Sequence, residues 1–152
     1  MIVGFVSAGV FTTALTAIST LFLASYQANE TDKREHVAAF VKSTEEFDPL
    51  VRAYMTDLLE SKDTSAAAKP LENNVQQQFT LLHASEAYLE PSSRKDALAY
   101  ESTLVGIESA LDKGPTILTG HDLVQGIANA AAQREVVIAA LRHSAGLRVA
   151  KP

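Results

Sequence analysis

Apolar positions follow two unlike patterns along this chain. From 2 to 24 the sequence reads IVGFVSAGVFTTALTAISTLFLA, and no Asp, Glu, Lys, Arg or His occurs before Glu30. As a helix, that run is long enough to cross a hydrocarbon core of roughly 30 Å. Beyond Glu30 the apolar residues recur at three- and four-residue intervals among charged ones, the period of helices with one buried face. The pattern predicts an all-α chain. One N-terminal transmembrane helix (1–28) precedes an antiparallel bundle of about four helices (29–147), and a short basic tail (148–152) ends it.

The residues after the uncharged run, NETDKRE, are all compatible with a helix, so the membrane helix can run straight into the next one. Val37, Phe40, Val41, Thr44, Phe47, Val51, Tyr54, Met55, Leu58 and Leu59 keep the helical spacing across Pro49. The preserved register predicts one kinked element rather than two helices. Ser61 to Pro70 reads as a connector. A second helix follows with Leu71, Val75, Phe79, Leu82 and Tyr88 on or near one face. Glu90-Pro91-Ser92-Ser93 reads as a turn, with Ser92 or Ser93 capping a third helix that carries Ala97, Tyr100, Leu104, Ile107 and Leu111. Gly114-Pro115 is a stop signal. Thr119 and Asp122 resemble the start of a fourth helix with Leu123, Ile127, Ala131, Val137 and Leu141 inward and Gly146 as its terminator. Short connectors imply antiparallel neighbours.

The uncharged segment is two-faced. Gly4, Ala8, Gly9, Thr12, Thr13, Thr16, Ser19 and Thr20 fall toward one side, while Val6, Val10, Phe11, Leu15, Ile18, Leu21 and Phe22 fall on the other. In lipid, small residues let helix backbones approach and hydroxyls can bond across the contact. That face is therefore the expected membrane interface, with further copies or with a larger membrane complex. No basic residue precedes the run, and Tyr26 sits badly two residues before a cut at Ala28, so retention as a signal-anchor is expected over cleavage. Lys33, Arg34 and Lys42 follow the span, which places the C-terminal domain in the cytoplasm by counting basic residues.

Charge and composition narrow the function classes. The net charge of −5 lies wholly beyond residue 29, so the bundle lacks the clustered Lys and Arg that phosphate binding needs, and no nucleic-acid partner is expected. No Cys is present, which removes disulfides, thiolate nucleophiles and Cys-based metal sites. His83 has Glu86 three residues later, but this is a single reversed copy of the paired Glu-x-x-His pattern of carboxylate-bridged di-metal bundles. No metal and no cofactor is expected. Serine-elbow, phosphate-loop and His-Glu-x-x-His motifs are absent, so no catalytic residue is assigned and the protein is not expected to be an enzyme. Near the C-terminus Arg134, Arg142, Arg148 and Lys151 face one acid, Glu135. If the fourth helix returns to the membrane, Arg142, Arg148 and Lys151 are candidates for contact with anionic lipid or an acidic partner.

The expectation is a single-pass membrane protein acting as a non-enzymatic assembly or accessory subunit through its small-residue face. Two alternatives use the same features. One is a homo-oligomeric pore or effector lined by the Thr and Ser hydroxyls. The other is a helical sensor binding a small ligand among the bundle aromatics.

Overall fold

A computed structural model describes the backbone of residues 7–114 and 117–147, and the side chains of 29–114 and 120–147. Four α-helices are found among the described residues: α1 (Ser7–Leu59), α2 (Ser65–Ser85), α3 (Pro91–Asp112) and α4 (Ile117–Ser144), with a 3-10 turn (Glu86–Tyr88) after α2. No strand occurs among them. Each helix packs on its neighbour in chain order, and α4 returns to α1. Paired positions run in opposite directions: Gln76 meets Glu108 while His83 meets Glu101, and Thr103 meets Gln133 while Ile107 faces Gly126. The elements form an antiparallel ring of four.

The apolar stripes explain this closure. Val37, Phe40, Phe47 and Tyr54 from α1 meet Leu71, Val75 and Leu82 from α2. All five expected α3 positions, Ala97, Tyr100, Leu104, Ile107 and Leu111, are buried, as are Leu123, Val137 and Leu141 on α4. Leu59 was expected inward but is 80% exposed; in the last turn of α1 it is the neighbouring Leu58 that packs against the core. On α4 the buried alanine is Ala130, not Ala131. The stripe steps from Leu123 through Ile127 to Ala130, and then past Arg134 to Val137 and Leu141.

Helix α1 is continuous through Pro49, as the preserved register implies. Proline removes the bond to the Glu45 carbonyl, but Glu45 and Pro49 are both exposed, so water can take that carbonyl. Pro70, expected in the connector, lies inside α2, which starts five residues earlier. Here too the freed carbonyl, that of Ala66, belongs to an exposed residue. Asp63 helps to start α2 by accepting a bond from the Ser65 amide (2.9 Å), and its bonds to Ser65 hold its carboxyl below the usual range. Neither Ser92 nor Ser93 caps α3. Glu90 holds the cap position without a side-chain bond, and Pro91 fills the first helical position, where its missing N–H costs nothing. Helix α4 begins at Ile117, two residues before Thr119.

Gly114 (φ +73°) and Gly146 (φ +65°) end α3 and α4 in the left-handed conformation expected of them. At Gly146 the amide bonds the His143 carbonyl and the next amide, of Leu147, bonds that of Arg142. Helix α1 ends with the same pair of bonds, but Ser61 takes the glycine position at φ +54°.

Among the described residues no helix is long and apolar enough to cross a membrane. The expected span at 2–24 and its small face precede the described side chains. Gly4 lies outside the described residues altogether. Ala8, Gly9, Thr12, Thr13, Thr16, Ser19 and Thr20 are described only as helical backbone of α1. Arg148 and Lys151 also lie outside the described residues.

Candidate functional site

Among the described residues, two groups of polar side chains in the bundle are drawn together from different helices. The first is a chain of hydrogen bonds that crosses three helices. The Tyr100 hydroxyl on α3 donates to Gln78 Oε1 on α2 (2.6 Å), and Gln78 Nε2 donates to Asn74 Oδ1 (2.7 Å). Asn74 Nδ2 in turn donates to the Ser43 carbonyl on α1 (2.9 Å). Ser43, Gln78 and Tyr100 are at most 1% exposed. Phe40 packs its ring edge to face with Tyr100. Burial pushes the Tyr100 phenol above its ordinary range; Arg134 opposes the shift and Asp48 reinforces it. The tyrosine is therefore a neutral donor, held in place, with no means of serving as a base at neutral pH.

The second lies where α2 gives way to the 3-10 turn. His83 in the last turn of α2 and Glu86 opening the turn are three residues apart, so they share a face. Glu101 reaches them from α3. His83 Nδ1 stands 3.8 Å from Glu86 Oε1 and 3.6 Å from Glu101 Oε1. Neither distance is a hydrogen bond. The Oε1 atoms of both glutamates are buried without a hydrogen-bond partner. The Glu101 side chain is only 9% exposed, whereas that of His83 is 65% exposed and opens the cluster to solvent. Burial raises the Glu101 pKa, and the neighbouring Glu86 charge raises it further, against a smaller opposing effect of His83. The Phe79 ring lies nearly parallel to that of His83, with centroids 5.9 Å apart.

The sequence pairs His83 with Glu86 but does not supply Glu101, which comes from a different helix fifteen residues later. The other histidines remain apart from this cluster. His121 is exposed, and His143 meets Glu90 at 3.5 Å on the surface. His36 has a buried Nδ1 without a hydrogen-bond partner.

The basic C-terminal set is divided. Arg134 is no free surface charge. It donates to the Thr44 carbonyl (3.3 Å) and to Asp48 Oδ1 (3.2 Å), tying α4 to α1. Arg142 is half-buried and lines a cavity of about 380 Å³ with Glu45, Asp48 and Glu135. Acids on α1 therefore share the surroundings of Arg142. A larger groove of about 480 Å³ runs between α3 and α4, lined by Ser102, Thr103, Lys113, His121 and Gln125. Of the bundle aromatics, Phe40, Phe47, Tyr54 and Tyr100 are buried in the core, while Phe79 and Tyr88 are half-buried.

No protein-family model, curated protein or solved structure matches this chain.

Proposed function

We propose that this protein is a membrane-anchored assembly or accessory subunit, in which the uncharged first half of α1 serves as a single-pass anchor and the four-helix ring is its cytoplasmic body. The observation that carries this reading is a mismatch of lengths. Helix α1 has 53 residues, while α2, α3 and α4 have 21, 22 and 28. At 1.5 Å per residue α1 is about 80 Å long and its longest partner about 42 Å. The bundle helices can cover only about half of α1. The excess coincides with the stretch that carries no charge.

An uncovered helix of that composition needs other surroundings: lipid, further copies of itself, or the helices of a larger membrane complex. The small face through Gly4, Ala8, Thr12, Thr16 and Thr20 suits close helix contact in lipid. Because the helix is unbroken at Glu30, contacts made by its first half would hold the bundle at a fixed rotation about the α1 axis. Non-enzymatic action is the simplest role for a body whose deepest polar groups, Gln78 and Tyr100, are consumed in a structural chain.

Cross-linking in native membranes tests the small face. Ala8→Leu and Thr16→Leu should each reduce the yield of cross-linked assembly several-fold, since bulk at a close contact separates the backbones. Leu15→Ala, on the opposite face, should leave the yield near that of the parent. Equal yields from all three variants would remove the small face as an interface. A homo-oligomer that conducts ions, and loses conductance when Thr12 and Thr16 are changed, would replace the subunit reading with a pore.

A further inference from the structure

The geometry points to a divalent transition-metal site, of the zinc type, formed by His83 Nδ1, Glu86 Oε1 and Glu101 Oε1. One ligand atom from each of the three residues lies within 4.8 Å of the other two. A histidine that simply paired with a carboxylate would place one N–H against one oxygen at about 2.7–2.9 Å. Here the same nitrogen stands at 3.6 and 3.8 Å from two carboxylates, bonded to neither. That is the arrangement of ligands around a common centre. Atoms bound about 2.1 Å from a tetrahedral ion are separated by about 3.4 Å. The two separations from the histidine nitrogen, 3.6 and 3.8 Å, exceed that value by only a few tenths of an ångström.

The buried carboxylates supply the second observation. Glu101 Oε1 is out of contact with water, and no donor reaches it. Glu86 Oε1 is in the same state beside it. Two neighbouring buried carboxylate oxygens repel unless a proton or a cation is shared between them. A bound ion would satisfy both and would take the neutral Nδ1 of His83 as a third ligand. The solvent-exposed side of His83 leaves remaining positions for water and a route of entry. An imidazole ligand favours zinc, cobalt, nickel or copper over magnesium or calcium, which prefer all-oxygen surroundings.

Cobalt titration of the full chain in detergent tests this. Co²⁺ should bind at one equivalent with visible ligand-field absorption, and Zn²⁺ should displace it. Mg²⁺ in large excess should not. His83→Ala and the near-isosteric Glu101→Gln should each weaken binding by at least about tenfold, with circular dichroism verifying that both remain helical. His143→Ala, which alters the exposed Glu90 contact instead, should bind as the parent does. The site is refuted if the folded parent shows no cobalt absorption. It is equally refuted if the absorption survives undiminished in both His83→Ala and Glu101→Gln, or if Mg²⁺ displaces Co²⁺ as readily as Zn²⁺ does.

Discussion

At the scale of single residues, buried polar groups set the hardest conditions in this core. Gln78 is fully buried, and its carbonyl oxygen receives the Tyr100 hydroxyl. Tyr100→Phe keeps the ring and its contact with Phe40 but leaves Gln78 Oε1 without its donor. The loss should lower unfolding stability by about 1–3 kcal/mol, measured by urea denaturation at constant slope. Glu101 presents the opposite case, a buried group whose removal should help the metal-free protein. Its folded pKa lies above the ordinary 4.5, so the folded state keeps a proton that the unfolded state has released. Stability is then lost as pH rises from about 4.5 through the folded value. Glu101→Gln has nothing to titrate there. In chelator-treated protein the variant should match the parent below about pH 4 and exceed it at neutral pH. Thermal melts across that range measure the difference.

Some of these residues could be read from the sequence, and some could not. Asn74 and Gln78 occupy steps of the same stripe as Leu71, Val75 and Leu82, so polar residues at inward positions of α2 were open to detection by spacing alone. Arg134 falls on the α4 stripe in the same way, seven residues before Leu141. Glu101 follows the inward Tyr100 and lies four residues after Ala97. Its meeting with His83 depends on how α3 slides against α2, and periodicity within one helix carries no information about that offset.

At the scale of elements, α3 and α4 approach closely where a side chain is missing. A Cβ at Gly126 would stand 2.8 Å from Ile107 Cγ1, whereas a Cβ at Gly106 meets nothing within 4 Å. Both are helical, so alanine at either position gains about 1 kcal/mol of helix propensity. Gly106→Ala should realise that gain. At Gly126 the contact is with the root of a buried isoleucine, and overpacking costs about 1–3 kcal/mol. Gly126→Ala should therefore lose about 1 kcal/mol net, with chemical denaturation of the pair showing opposite signs. The existence and order of the elements follow from apolar spacing, while their ends depend on local chemistry that spacing does not see. Proline at 49 and at 70 reads as punctuation. Both nevertheless sit inside helices, because the carbonyl each one frees belongs to an exposed residue. Ser61 does the work of a terminal glycine without being one, so the end of α1 carries no glycine signal.

At the scale of the whole molecule, the ring of four helices and its longest member pose different requirements. The ring buries the stripes that begin at Val37 and closes on itself through Arg134 and Asp48. Roughly half of α1 has no counterpart of matching length in α2, α3 or α4. The sequence makes that half conspicuous by withholding every charge until Glu30, and that composition is the ground for proposing lipid as its surroundings. Membrane attachment through α1 is the central claim, and alkaline carbonate extraction of membranes from cells making the full chain tests it most directly. The protein should remain in the membrane pellet and be released only by detergent, with Met1–Ala28 still attached by mass. Release of the intact chain into the carbonate supernatant, or recovery of a soluble form beginning near Asn29, would contradict it.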